Sequence, residues 1–166
     1  MITVDLTAGS REPLTDGFDR RIEYLRISVT DKCNLRCVYC MPEAGLQWLR
    51  RDEILSYEEI AKIVQAAASI GVRSIRLTGG EPLVRRDLAR LVEAVAAVPG
   101  IEDVALSTNG LLLEEQLPAL AGAGLRRVNV SLDTLRPERF EAIARRPGLD
   151  RRSSPGATRQ RPRRWA

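Results

Sequence analysis

The sequence predicts an α/β fold in which parallel strands, joined by helical crossovers, form a curved sheet with a polar inner face. Three observations predict it. Short apolar runs alternate with helical patterns four times along the chain, and repeated βα units require parallel strands. The strands alternate polar and apolar residues, whereas a sheet buried on both faces would read as continuous Val, Ile and Leu. A length of 166 residues, 44% hydrophobic and 29% charged, suits a single globular domain with its own core.

The elements follow in order. A first strand is expected over Leu25–Val29. Ser56 and Glu59 have capping-box spacing, and Ile60, Ile63, Val64 and Ala67 follow at helical spacing until Gly71. A second strand, Ser74–Thr78, runs into a turn at Gly79-Gly80-Glu81-Pro82. Asp87 opens the second helix, with Leu88, Leu91, Val92 and Val95 on one stripe and Pro99-Gly100 as its stop. The third strand, Val104–Thr108, ends at Asn109-Gly110, and a third helix covers roughly Glu114–Ala121 before Gly122 and Gly124. A fourth strand, Val128–Ser131, leads to Asp133, and Pro137 suits the first position of a fourth helix reaching Ile143.

The alternation assigns the two faces of the sheet. Leu25, Ile27 and Val29, then Ile75 and Leu77, Val104 and Leu106, and Val128 and Val130 share the face that must meet the helices. The other face carries Arg26, Ser28, Ser74, Arg76, Thr78, Ala105, Ser107, Asn129 and Ser131. A barrel filled by its own side chains would be branched and apolar there. Two arginines and several hydroxyls read instead as a polar ligand cavity, the alternative being that Arg26 and Arg76 each pair with a carboxylate.

Charge and composition exclude several function classes. Lys32 and Lys62 are the only lysines among 26 basic residues, and there is no histidine, so imidazole triads and histidine-rich zinc sites are ruled out. Eight arginines and one acid, Asp150, lie in the last 22 residues, so the net charge of +4 reports on that tail and not on a nucleic-acid-binding face. No nucleic acid is therefore expected as a partner. No run is long and apolar enough to span a bilayer, and the first residues lack a secretory pattern, so no membrane association and a cytoplasmic location are expected. After Arg145 the sequence is rich in Arg, Pro, Gly and Ser without apolar periodicity, which is a disordered composition.

Three cysteines, Cys33, Cys37 and Cys40, fall just after the first strand, where βα folds place chemistry. Their odd number and close spacing do not suit a disulfide framework. Zinc would want a fourth ligand that no other Cys or His supplies. A four-iron cluster held by three thiolates keeps one iron open for substrate or cosubstrate. Cys37-x-x-Cys40 also meets the form of a redox pair. Spacing alone leaves the open-site cluster, redox thiols and adventitious metal as readings.

The spacing C-x3-C-x2-C with Tyr39 before the last cysteine resembles the radical S-adenosylmethionine superfamily. The wider context, Arg26 to Pro42, Ile75 to Leu83, Leu106 to Gly110 and Gly124 to Asp133, is similar to the GTP 3′,8-cyclase family, molybdenum cofactor biosynthesis protein A. The resemblance runs from about Leu14 to Arg145. It implies an incomplete parallel (β/α) barrel of the radical SAM type over residues 1–145, with residues 146–166 as a disordered, out-of-frame tail.

The resemblance also implies a chemistry. The family's matching cysteines, here Cys33, Cys37 and Cys40, hold a [4Fe-4S] cluster whose open iron takes S-adenosyl-L-methionine. Reductive cleavage then yields a 5′-deoxyadenosyl radical that acts on GTP. Positions matching the adenosylmethionine contacts are Tyr39, Gly80 and Ser131, and those matching the GTP contacts are Arg26, Arg76 and Ser107. Glycine at 79 and 80 would let the backbone approach the methionyl amine, the alternative being a simple turn after a strand. No catalytic side chain is implied beyond the cluster ligands. The implied partners are GTP, a cellular electron donor and a family-like homodimer. The family carries a second [4Fe-4S] cluster on three further cysteines, which this sequence lacks, so the expectation is a truncated or frameshifted chain that does not turn over, or a remnant binding only cluster and adenosylmethionine.

Overall fold

The computed structural model describes residues 14–42 and 44–149. Four strands, β1 (Tyr24–Ser28), β2 (Ser74–Thr78), β3 (Asp103–Thr108) and β4 (Arg127–Val130), form one sheet in the order β1-β2-β3-β4, every pair parallel. Helices α1 (Tyr57–Ala68), α2 (Leu88–Ala96), α3 (Leu113–Gly122) and α4 (Pro137–Ala144) follow the strands in turn. Among the described residues the sheet is open at β1 and β4, as an incomplete (β/α) barrel must be.

Local chemistry explains the helix ends. Ser56 Oγ accepts the Glu59 N–H at 3.1 Å while Glu59 Oε2 accepts the Ser56 N–H at 2.7 Å, so the expected capping box is present. Asp87 opens α2 as expected, but in a left-handed conformation (φ 56°) in which its side chain caps nothing. Pro137 occupies the first turn of α4, where its missing N–H costs nothing. Pro118 lies inside α3 on an exposed stretch.

The apolar face of the sheet meets α1, α2 and α3. Ile75, Leu77 and Leu106 on the strands and Val64, Leu91, Val92 and Val95 on the helices are fully buried in one cluster. Each such side chain contributes about 1.5–3 kcal/mol by leaving water.

The pattern breaks at β4. Val128 is half-buried and Val130 exposed, because α4 does not lie over them. Phe140 and Ala144 of α4 pack instead on Leu35 in the loop after β1, with Cys33, Cys37, Leu111 and Leu149 around them. Arg36 and Val38 donate their amides to the carbonyls of Ala144 (3.0 Å) and Ile143 (2.9 Å) at the end of that helix. Leu149 belongs to the segment expected as tail, and residues 150–166, the remainder of it, lie outside the described residues. Among the described residues no helix is long and apolar enough to cross a membrane.

Candidate active site

Chemistry-bearing residues gather at the ends of the strands. The loop leaving β1 runs beside the turn leaving β2. Thr30 and Lys32 carbonyls accept the amides of Gly80 and Glu81, both at 2.8 Å, and Val29 donates to Thr78 at 2.8 Å. This pairing sets the need for glycine. A Cβ at Gly79 would lie 2.4 Å from the Thr30 carbonyl oxygen, and one at Gly80 2.4 Å from that of Asp31 and 2.5 Å from that of Lys32. These are backbone atoms, which could yield only if the whole loop shifted. The two glycines therefore admit the cysteine loop itself.

Glu81 stands under this junction and is almost completely buried. Its Oε1 accepts the Thr108 hydroxyl at 2.7 Å and the Leu83 N–H at 3.1 Å, and its Oε2 accepts the Asn109 N–H at 2.6 Å. The Asn109 side-chain amide donates to Asn34 Oδ1 at 2.6 Å, inside the cysteine loop. The β2 turn and the β3 exit thus meet on one carboxylate, and Asn109 carries the tie on to the cysteine loop. Sequence reasoning took Glu81 for part of a turn, because the exit of β3 that covers it is distant along the chain.

The three cysteines are carried by one loop and form no disulfide among the described residues, Cys33 and Cys37 half-buried and Cys40 exposed. The Cys40 and Met41 amides turn back onto the Cys37 carbonyl at 2.9 and 3.2 Å. Burial raises the Cys33 thiol above its usual pKa and the charges of Glu81 and Cys37 add to this, against the lowering by the Leu35 N–H and Arg36. Arg36 also donates to the carbonyls of Cys33 (2.8 Å) and Leu35 (2.7 Å) and lies over Trp48 at 5.3 Å, bracing the loop. As a donor set, three thiols on a loop free of histidine suit a soft iron–sulfur centre. Among the described residues no three Cys, Asp or Glu side chains converge closely enough to hold a metal ion, so the loop offers the ligands without a finished triad.

The remaining expected residues spread over the sheet. The Tyr39 hydroxyl donates to Asp133 Oδ2 at 2.8 Å, which raises its pKa and joins the β1 loop to the segment after β4. Ser131, exposed, continues the β4 ladder by donating its amide to Thr108 at 2.9 Å. Arg26 and Arg76 are direct cross-strand partners. Arg76 lies over the Tyr24 ring at 5.6 Å, and its buried Nε has no hydrogen-bond partner. Ser107 is paired with Asn129. Neither Arg26 nor Arg76 forms an ion pair among the described residues, where the arginines that do are Arg20, Arg50, Arg73 and Arg127. The carboxylate-pairing alternative therefore finds no support among them.

Comparison with known proteins decides the family. The sequence matches the radical SAM superfamily over residues 27–159. The chain belongs to the radical SAM superfamily. Within it, this chain is 61% identical over 132 residues to a GTP 3′,8-cyclase of Pelotomaculum thermopropionicum, covering 80% of this chain and 41% of that protein. A GTP 3′,8-cyclase of Heliobacterium modesticaldum is 56% identical over 137 residues, covering 82% and 42%. The radical SAM chain thus spans about two-fifths of the length of these relatives. Among solved structures, Streptococcus suis SuiB bound to S-adenosylmethionine matches with a TM-score of 0.61 at 22% identity over 78% of this chain and 27% of that one. BtrN in complex with AdoMet and 2-DOIA matches at a TM-score of 0.54 and 19% identity, covering 80% and 55%. These two share the fold. Superfamily membership implies a [4Fe-4S] cluster and S-adenosylmethionine as the chemistry of the site.

Proposed function

We propose that this chain supplies the radical-generating part of a GTP 3′,8-cyclase, with Cys33, Cys37 and Cys40 as cluster ligands. Tyr39, Gly80 and Ser131 bind S-adenosylmethionine, and Arg26, Arg76 and Ser107 bind GTP. The observation that carries the GTP reading is the Arg26–Arg76 pair. Like charges directly opposite on neighbouring strands repel, and neither has a carboxylate among the described residues to offset this. A polyphosphate laid across both guanidinium groups would do so through charge-assisted bonds. The identity to two proteins named GTP 3′,8-cyclase supports the same substrate.

When bound, a [4Fe-4S] cluster fed by a cellular electron donor supplies the electron that cleaves S-adenosylmethionine. The chain's own residues do the positioning. Glu81 and Asn109 hold the cysteine loop against the sheet end, Gly79 and Gly80 let it sit there, and the arginine pair fixes the nucleotide's phosphates. A second reading rests on the cysteine count: all three lie in one loop, and these 166 residues contain no further cysteines for a second cluster. In that reading the chain binds cluster and S-adenosylmethionine without converting GTP.

The test is anaerobic reconstitution followed by dithionite reduction with S-adenosylmethionine and GTP. Cleavage of S-adenosylmethionine is expected, and Arg26→Ala and Arg76→Ala should each weaken GTP binding by about tenfold or more. A folded, cluster-loaded sample that leaves S-adenosylmethionine intact would refute the radical reading. GTP affinity indifferent to both substitutions would refute the substrate assignment. Cleavage without any cyclised nucleotide selects the second reading.

A further inference from the structure

The strand register places a third guanidinium in the row that holds Arg26 and Arg76. Arg26 pairs with Arg76, Arg76 with Ala105, and Ala105 with Arg127, so these residues share one level and one face of the sheet. Arg127 was absent from the polar face read from sequence, because the fourth strand was started one residue later. It comes to the row already oriented. Its Nε lies 3.0 and 3.1 Å from the two Asp103 carboxylate oxygens, and its Nη2 donates to Oδ2. Nη1 takes no part in these bonds. Between Arg76 and Arg127 stands Ala105, whose small side chain is fully covered.

We propose that Arg127, held by Asp103, is a third phosphate-binding arginine that sets the preference of this face for nucleoside triphosphates over monophosphates. The inference rests on the GTP reading above. Arg26 and Arg76 sit about one strand spacing apart, near 4.8 Å, and Arg127 two further spacings along the same row. A monophosphate can engage the close pair alone. A triphosphate extends along the row, and the free edge of the Arg127 guanidinium then adds a charge-assisted bond to its far end. Asp103 fixes the side chain beforehand and removes part of the entropy cost of recruiting it.

The experiment is titration calorimetry of the full chain with GTP, GMP and inorganic tripolyphosphate, for wild type, Arg127→Ala, Arg127→Lys and Asp103→Asn. Arg127→Ala is expected to weaken GTP and tripolyphosphate about tenfold while changing GMP less than about twofold. Arg127→Lys should recover part of that loss. Asp103→Asn should leave the ratio of GTP to GMP affinity high, since the cation remains. Equal loss for GTP and GMP, or no loss at all, overturns the proposal. If Arg127→Ala does not fold, the lysine variant decides: a GTP-to-GMP ratio unchanged from wild type refutes the assignment. Wild-type chain that binds neither GTP nor tripolyphosphate refutes the GTP reading itself. Binding that depends on Arg26 and Arg76 alone refutes only the role of Arg127.

Discussion

Glu81 and Thr108 meet in the interior, the threonine hydroxyl donating to Oε1 at 2.7 Å across two strand exits. Removing the carboxylate strands three donors at once: that hydroxyl, the Leu83 N–H and the Asn109 N–H. Glu81→Ala is therefore expected to destabilise the chain by about 3 kcal/mol. Glu81→Gln keeps the shape but turns an amide donor toward one of these donors, and about 1–2 kcal/mol is expected. Urea unfolding of the two variants measures both, and a loss below about 0.5 kcal/mol for Glu81→Ala would contradict this account.

Gly80→Ala tests the fit between the two loops. The added methyl would fall 2.4 Å from the Asp31 carbonyl oxygen and 2.5 Å from that of Lys32, so the cysteine loop must move away. A loss of about 1–3 kcal/mol is expected, together with faster amide exchange at Gly80 and Glu81, whose acceptors are Thr30 and Lys32. A crystal structure of the variant with the loop unmoved would contradict it.

The cysteines should act as a set. Under anaerobic reconstitution about four irons per chain are expected, and Cys33→Ala, Cys37→Ala or Cys40→Ala should each abolish iron–sulfur absorption. Tight zinc binding with no such absorption would show that another metal suits the loop better.

Phe140→Ala should loosen the cysteine loop from a distance. The ring is buried against Leu35, and the same helix end accepts the Arg36 and Val38 amides. A cost of about 3 kcal/mol is expected, with the exchange protection of those two amides lost before that of β2 or β3. Uniform loss across the sheet would mean that α4 is not the loop's particular support.

The α1 cap should respond to acid. Glu59 is held below its ordinary pKa of 4.5, first by its bonds to the Ser56 amide and side chain, so its capping contribution is complete above that value. It fades as pH falls through the lowered folded pKa, where both states become protonated. The melting temperatures of wild type and Glu59→Gln should accordingly differ at neutral pH and converge in acid. Ser56→Ala should cost about 1 kcal/mol at neutral pH.

Much of the fold could be read from sequence, because period-2 alternation and helix stripes are local signals. Ile75 and Leu77, or Leu91, Val92 and Val95, announce their burial by spacing alone. What escaped depends on partners remote in sequence. The partners of Phe140 lie on the β1 loop, so its helix looked like another cover for the sheet. Glu81 reads from sequence only as part of a turn, because Thr108 and Asn109, which cover it, lie far along the chain. The candidate site rests on the three cysteines and on Arg26 and Arg76, which alternation assigns to the polar face and which the register pairs directly. Arg127 was missed because the strand was started at Val128, and it took the register with Ala105 to bring it into the row.

Strand order along the sheet equals strand order along the chain, and this has a consequence for synthesis. A nascent chain can add β2, β3 and β4 one at a time to the edge just left by the preceding strand, each closure spanning only one βα unit. The cysteine loop does not share that economy. Its amides wait for carbonyls at residues 143 and 144, and its apolar cover waits for Phe140. The thiols at 33, 37 and 40 therefore leave the ribosome early and gain their last support late. During that interval Cys33 and Cys37 lack the apolar cover that α4 later gives them and are more open to oxidants and stray metal.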